Sequence, residues 1–143
     1  MEEKYFNRYR SFCRSLRNLK KSKSADPAAE FVLEGTIQNY NLTFDLAWKV
    51  MKDILVKQLG ITDFAIGSPR EVLQSAFTNG LISDDIWLKM LKTRNLLAHD
   101  YDGIIAKKNF RAIISNYYDA FDGLKDAITK FYDGSLPSID SFD

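Results

Sequence analysis

Apolar residues recur at helical spacing along almost the whole chain, and no stretch shows the alternation typical of a β-strand. In the first segment they follow steps of four and three positions: Tyr5, Tyr9, Phe12, Leu16 and Leu19. A second stripe with the same steps is basic: Arg10, Arg14, Arg17 and Lys21. The pattern predicts a helix over about residues 3–21 that packs on one face and is positively charged on another.

Two long helices are predicted further along the chain. One is expected from Pro27, behind Asp26 as its N-cap, to Leu59. Its two apolar stripes suit a helix in the centre of a bundle or of a dimer. The other is expected from about Ala106 to Tyr132, with a single apolar stripe.

Two shorter helices are predicted between them. The segment Ser68-Pro69-Arg70-Glu71 is a capping box that begins one helix, and Asn79-Gly80 ends it. Ser83 is expected to cap the next helix, with Asp84 and Asp85 in its first turn. The chain is therefore predicted to be all-α, an antiparallel bundle of four to five helices that forms a dimer. We expect one domain over residues 1–134 and a frayed tail over 135–143.

The charge is unevenly distributed along the 143 residues. The net charge is +1, but residues 1–23 carry +6 and the remaining residues −5. A basic first helix on an acidic body can bind a polyanion or an acidic partner, although a solvated face is the more common reason for such a stripe.

Cysteine and histidine are each present once, as Cys13 and His99. An internal disulfide and a Cys/His zinc cluster are therefore excluded, and we expect no metal and no cofactor. No segment approaches the roughly 18 apolar residues of a membrane span. A reducing cytoplasm is the simplest location for such a protein, and we expect no membrane partner.

Arg94 lies in the middle of the apolar face of the fourth helix, among Ile86, Trp87, Met90, Leu91, Leu97 and Ala98. A guanidinium keeps its charge, so it needs a partner when it is buried. Either Arg94 binds a carboxylate within the bundle, which is the more common case, or this face lines a cleft that receives an anion.

His99 follows Arg94 by five positions, which in a continuous helix would separate the two side chains by about 140°. They can cooperate only if the helix ends near Ala98, and Asp100-Tyr101-Asp102-Gly103 suits a chain reversal there. Arginine offers a fixed fork of donors to phosphate oxygens, and histidine exchanges protons near neutral pH. Together they could process a phosphodiester. A lone histidine at a helix end more commonly only caps carbonyl groups.

The segment RNLLAHDY, residues 94–101, resembles the R-x4-H-x-Y motif of the HEPN superfamily. Within it, the chain is similar to the HepT-like proteins, also described as nucleotidyltransferase substrate-binding proteins. The stretch TFDLAWK, residues 43–49, is similar to an aromatic-acidic stretch of that family. Further positions occur in the order expected for it: Arg70, Ala76-Phe77, Gly80-Leu81-Ile82 and Trp87.

The resemblance implies a homodimer with the two R-x4-H segments facing each other across a cleft. It also implies a partner, a minimal nucleotidyltransferase, in a toxin–antitoxin arrangement. Active members are metal-independent RNases, in which Arg94 would stabilise the phosphorane and His99 would act as general base or acid. Asn95 would orient the site, and Tyr101 would accept AMP from the partner, which silences the toxin.

The chain departs from the family pattern at two sites. Asp100 stands where the family often has a small hydroxyl residue, and Tyr40-Asn41 stand where it has Phe-Glu. Asparagine lacks the charge of glutamate, so Arg94 would be freer for a ligand or would pair with Asp45 instead. Because one chain holds one histidine, a relay of two histidines requires two chains.

Three functions are compatible with the sequence. The first is a toxin RNase controlled by a nucleotidyltransferase, with RNA as its substrate. The second is a non-catalytic subunit in which Arg94 and His99 hold a nucleotide or another substrate for the transferase. The third is a helical adaptor without a ligand.

Overall fold

A computed structural model describes residues 2–61 and 67–132, with side chains for 6–61 and 67–130. Within these ranges the chain is helical and has no strand, so the predicted all-α fold is confirmed. The elements are α1 (Glu2–Lys21), a 3-10 turn (Ser22–Ser24), α2 (Val32–Lys57), α3 (Pro69–Thr78), α4 (Ile86–Leu97), α5 (Ile104–Ala112), a π-helical turn (Ile113–Tyr117) and α6 (Tyr118–Tyr132). The predicted tail over 135–143 lies outside the described residues. None of the described helices is long and apolar enough to cross a membrane.

The core lies between α1, α2, α4 and α6. The apolar stripe of α1 is buried from Tyr9 to Leu19, while the side chain of Tyr5 lies outside the described set. An aromatic cluster connects the helices: Phe12 and Trp87 each contact Phe121, at centroid distances of 6.3 and 5.6 Å. At the edge of the α1–α2 contact, Arg8 Nη1 donates to Asp53 Oδ1 at 2.6 Å.

The start of α2 differs from the prediction. Pro27 does not begin the helix, because the Asp26 carboxylate accepts from Ala28 N at 2.9 Å and holds a separate turn. Phe31 then adopts a left-handed conformation, with φ of 68°, and α2 begins at Val32. A left-handed residue cannot continue a right-handed helix, so the helix starts five residues later than predicted.

The two short helices confirm one predicted boundary and correct another. Ser68 Oγ accepts from Glu71 N at 3.2 Å, so the predicted capping box is formed at the start of α3. Ser83 does not cap α4. The Asp84 carboxylate accepts from Ile86 N at 3.0 Å, and the helix begins at Ile86. Three polar residues in a row each suit a helix start, so the pattern alone does not choose among them.

The fifth predicted helix is present as α5 and α6, which continue into one another through the π-helical turn. The turn buries Ile113 and Tyr117. The Tyr117 ring stacks on Tyr40 of α2 at a centroid distance of 5.8 Å. Its hydroxyl lies 3.1 Å from Thr93 Oγ1 of α4, so the wide turn brings a polar aromatic residue between these two helices.

Candidate functional site: the C-terminal end of α4

Helix α4 ends at Leu97, with Ala98 as its C-cap, as the interpretation of the Arg94–His99 spacing required. The chain then reverses over Asp100–Gly103, and Gly103 adopts a φ of 76° at the start of α5. Glycine reaches this conformation without steric cost, which makes the reversal compact. The motif therefore occupies a helix end and a tight turn.

Asp100 binds the first turn of α5. Its Oδ1 accepts from Ile105 N at 2.9 Å and its Oδ2 accepts from Ala106 N at 2.8 Å. The two oxygens satisfy backbone groups that a helix start leaves without partners. Capping is a role that small hydroxyl residues share with aspartate, which explains an acidic residue at this position of the motif.

Arg94 contacts α2. Its Nη2 lies 3.9 Å from Oδ1 of Asp45, and the side chain is 38% exposed. Asp45 has closer partners on its own helix, namely Lys49 Nζ at 3.0 Å and Trp48 Nε1 at 3.2 Å. The guanidinium is therefore only loosely paired, and it sits where the packed face of α4 opens to solvent.

A buried tyrosine supports the turn of α4 that carries Arg94. Tyr40 donates its hydroxyl proton to the carbonyl oxygen of Met90 at 2.7 Å. Burial raises the pKa of Tyr40, and the nearby Tyr117 adds to this, whereas the Arg94 cation acts in the opposite direction. Next to it in sequence, Asn41 has a buried side-chain oxygen without a hydrogen-bond partner in the described structure.

His99 lines a different surface, an open groove of about 430 Å³ between α3 and α4. Its side chain is exposed. Three polar residues share this groove with it: Arg70, Lys92 and Asn95. We call it the His99 groove. Arg94 and Asp45 do not line it, so within one chain the structure brings His99 together with Asn95, and Arg94 together with Asp45.

Lys92 had not been singled out from the sequence, although a signal for it exists. Positions 92 and 95 are three apart on α4, so they share one helix face, and His99 follows directly after the helix ends. Arg70 had been noted only as a position of the family pattern. Its place beside His99 depends on the packing of α3 against α4, which the sequence does not reveal.

Tyr101 is 92% exposed and lies in the turn, two residues after His99. An aromatic side chain this exposed contributes little to the core. Its hydroxyl is accessible to a second macromolecule without any rearrangement of the bundle.

A cleft of about 690 Å³ lies between the start of α4 and α6, away from these residues, and Asp84, Asp119 and Lys130 are among its lining residues. It includes neither Arg94 nor His99. In the described part of the chain, no group of three histidine, cysteine or acidic side chains is arranged to hold a metal ion.

Comparison with known proteins identifies the family of the chain. No functionally curated protein matches the chain. A family model described as "Nucleotidyltransferase substrate binding protein like" matches residues 4–130. This range extends from α1 into α6 and contains the whole candidate site. The chain therefore belongs to the nucleotidyltransferase substrate-binding-like family.

Proposed function

We propose that this protein is the partner of a minimal nucleotidyltransferase in a toxin–antitoxin pair, and that it is a metal-independent RNase silenced by AMP transfer to Tyr101. The observation that carries the proposal is the position of His99, in a groove with Arg70 and Lys92, two residues from the exposed Tyr101. Membership of the nucleotidyltransferase substrate-binding-like family supports a nucleotidyltransferase as the partner.

The His99 groove has the groups that phosphodiester cleavage needs. The cations of Arg70 and Lys92 attract an RNA phosphate and stabilise the extra charge of the phosphorane. His99 takes the proton of the ribose 2′-hydroxyl as its oxygen attacks phosphorus. The bond to the 5′-oxygen then breaks, and this oxygen takes a proton from an acid. The products are a 2′,3′-cyclic phosphate and a 5′-hydroxyl.

The acid is the His99 of a second chain. Each protomer supplies one imidazole, and a two-fold interface presents the same patch from both copies. Leu88 and Leu96 flank the His99 groove and are exposed, at 39% and 46%. A homodimer that covers these leucines brings the two grooves together. Arg94 lies outside the groove of its own chain, so it joins the anion site only where the dimer places it against the groove of the second chain.

AMP transfer to Tyr101 would silence this site. The Tyr101 oxygen attacks the α-phosphorus of ATP held by the partner, the phenolic proton passes to a base, and pyrophosphate leaves. The product places a phosphate and an adenosine beside His99. A negative charge and a bulky group at this point repel an RNA backbone and block access to the groove.

RNA cleavage in EDTA tests the nuclease. We expect cyclic phosphate ends from the native protein, no product from His99→Ala, and a loss of roughly tenfold or more from Lys92→Gln, since one phosphate contact is removed. Lys89→Gln is the matched control, because Lys89 is exposed on α4 but does not line the groove. If native protein yields no product, or if His99→Ala keeps full activity, the nuclease assignment is wrong.

Labelled ATP together with the partner transferase tests the modification. We expect one label per chain on the native protein and none on Tyr101→Phe. Tyr118→Phe is the control, because Tyr118 is half-buried on α6. Labelling of Tyr101→Phe at the native level would contradict the assignment of the acceptor.

The loose contact between Arg94 and Asp45 favours a second candidate, a non-catalytic subunit that holds a nucleotide for the transferase. In that case Arg94, 3.9 Å from Asp45, exchanges this weak pairing for a phosphate. Calorimetry would show saturable nucleotide binding that Arg94→Ala weakens, without any turnover of RNA. Binding that Arg94→Ala leaves unchanged would exclude this candidate.

A further inference from the structure

Two pairs of hydroxyl groups lie inside the contact between the first two helical segments of the chain. The hydroxyls of Ser15 and Thr43 are hydrogen-bonded to each other, and both side chains are buried. Thr36 Oγ1 donates to Ser22 Oγ at 2.7 Å, close to the connection between α1 and α2, and this pair is buried as well. Amphipathic helices can pack through apolar residues alone, so the two pairs are not needed for the association of the helices.

An ion pair continues this series at the other end of the contact. Arg8 Nη1 lies 2.6 Å from Oδ1 of Asp53, whose side chain is 8% exposed. Positions 8, 15 and 22 are spaced by seven residues, which places them on nearly one line along a helix. Their partners at positions 53, 43 and 36 follow in the opposite order, as two antiparallel helices require. We call the three contacts the polar column.

The apolar stripe of α1 does not by itself determine how α1 is aligned along α2. Its positions repeat in steps of four and three, so a displacement by one helical turn places apolar residues opposite apolar residues again. Such a displacement is about 5.4 Å along the axis. The connection over residues 22–31 is long enough to absorb it, since a chain of this length can span roughly 30 Å.

The polar column distinguishes the native alignment from the displaced ones. Thr43 donates its own proton to the carbonyl oxygen of Asn39 at 2.7 Å, so its oxygen accepts from Ser15. A displaced α1 would take the Ser15 hydroxyl away from Thr43, and Arg8 away from its carboxylate partner. A buried polar group that is separated from its partner costs more free energy than the paired group contributes. The contacts therefore disfavour the displaced alignments more than they stabilise the native one.

We infer that the polar column sets the register of α1 on α2, and that its effect is on the choice of register and not on stability. A polar residue buried in an apolar contact between helices specifies register in coiled coils by the same means. The register also decides which core residues α1 meets, because Phe12 contacts Phe121 of α6 at a centroid distance of 6.3 Å. The inference is independent of the proposed function, since no residue of the polar column lines the His99 groove.

Pulsed electron paramagnetic resonance measures the alignment of the two helices directly. Spin labels are attached at Ser11→Cys and Glu34→Cys, which are exposed positions at different heights on α1 and α2. The buried native thiol is removed by Cys13→Ala in every protein of the series. We expect a single distance between the labels in this parent protein.

The test variant lacks both hydroxyl pairs of the polar column. It carries four substitutions in the parent protein: Ser15→Ala, Ser22→Ala, Thr36→Val and Thr43→Val. We expect a second population of roughly 10% or more, with a distance that differs by about 5 Å, the length of one helical turn. Its urea midpoint should equal or exceed that of the parent, because apolar groups of similar shape replace paired hydroxyls.

Two controls separate a change of register from a general loosening of the core. Thr93→Val with Tyr117→Phe removes a buried hydroxyl pair between α4 and the π-helical turn, outside the contact of α1 with α2. Ser15→Thr with Thr43→Ser keeps a hydroxyl on each helix and exchanges only the methyl group. Both control variants should retain the single distance of the parent.

Three results would overturn the inference. A single, unchanged distance in the test variant would show that apolar packing alone sets the register. A urea midpoint clearly below that of the parent, or loss of the helical signal in circular dichroism, would show that the hydroxyl pairs act through stability. A second distance in the Thr93→Val, Tyr117→Phe control would show that any lost hydroxyl pair loosens the core.

Discussion

At the scale of single residues, Asp100 holds the motif at the end of α4 against the start of α5. Its carboxylate holds the N–H groups of Ile105 and Ala106, so one side chain links the end of α4 to the start of α5. The turn between them carries Tyr101. Asp100, which departs from the pattern of the motif, is therefore a structural cap.

Substitution Asp100→Ala should lower the free energy of unfolding by about 1–2 kcal/mol, because it removes an N-terminal cap. Urea unfolding measures this change. Asp102→Ala is the control, because the Asp102 carboxylate is exposed and its contact with Ile104 N is long, at 3.4 Å. Equal effects of the two substitutions would show that the cap of α5 is not the source of the stabilisation.

Arg94 and His99 show how far the sequence predicts the site. Cooperation of Arg94 and His99 required that α4 end near Ala98, and the helix does end there. The sequence did not predict which neighbouring helix each of the two side chains faces, because this depends on how α2 and α3 pack against α4. Arg94 meets Asp45 of α2, and His99 meets the groove beside α3. Spacing along one helix gives the angle between two side chains but not the neighbours that they meet.

At the scale of elements, α2 begins at a strained residue. Phe31 is the one residue other than glycine with a positive φ in the described structure, and its side chain is 74% exposed. A left-handed conformation costs an L-residue roughly 1–2 kcal/mol. Because the Phe31 ring buries little apolar surface, packing does not compensate for this strain.

Replacement of Phe31 by glycine should therefore stabilise the protein. The relief of strain exceeds the added freedom of the unfolded chain, and the expected net gain is roughly 0.5–1 kcal/mol. Thermal and urea unfolding measure it. Glu30→Gly serves as the comparison, since Glu30 is exposed and has a negative φ, and it should be neutral or destabilising. Destabilisation by Phe31→Gly would mean that the Phe31 ring has a packing role.

The helices themselves were predictable because apolar periodicity is strong throughout. Their boundaries were predictable only where one residue type stood out, as at Ser68 with Pro69. Three polar residues in a row at 83–85 left the start of α4 ambiguous, and at Asp26-Pro27 the pattern indicated a start that the left-handed Phe31 delays. The π-helical turn has no signal in the pattern, because it depends on contacts of Tyr117 with α2 and α4.

At the scale of the whole molecule, two buried tyrosines couple stability to alkaline pH. Burial raises the pKa of Tyr9 and of Tyr40, so the folded state favours the neutral phenol. Their contribution to the free energy of unfolding is complete below about pH 10, the pKa of tyrosine in the unfolded chain. It is lost progressively as the pH rises above this value.

The free energy of unfolding should accordingly decrease as the pH is raised from about 9 to about 11. Urea titrations across this range measure the slope. Tyr40→Phe removes one of the two phenol groups. The free energy of unfolding of this variant should be lower at neutral pH but should decrease less steeply as the pH rises. Parallel slopes for the native protein and Tyr40→Phe would contradict the linkage.

Assembly is a further property of the whole molecule. The proposed dimer covers Leu96, so Leu96→Lys should convert it to a monomer by placing a charge in an apolar contact. Sedimentation velocity measures the mass. Leu42→Lys is the control, because Leu42 is comparably exposed, at 50%, on α2. A native monomer, or dissociation by Leu42→Lys alone, would contradict the proposed interface.

The π-helical turn between α5 and α6 has a consequence for the phase of this long helical segment. In a regular helix each residue advances the side chains by about 100°, so one additional residue in a turn shifts every later position around the axis. The segment before the shift contacts α2 and α4, and the segment after it contacts α1. Deletion of one residue within 113–117 would change this phase, so the side chains of α5 or of α6 would turn away from the helices that they contact.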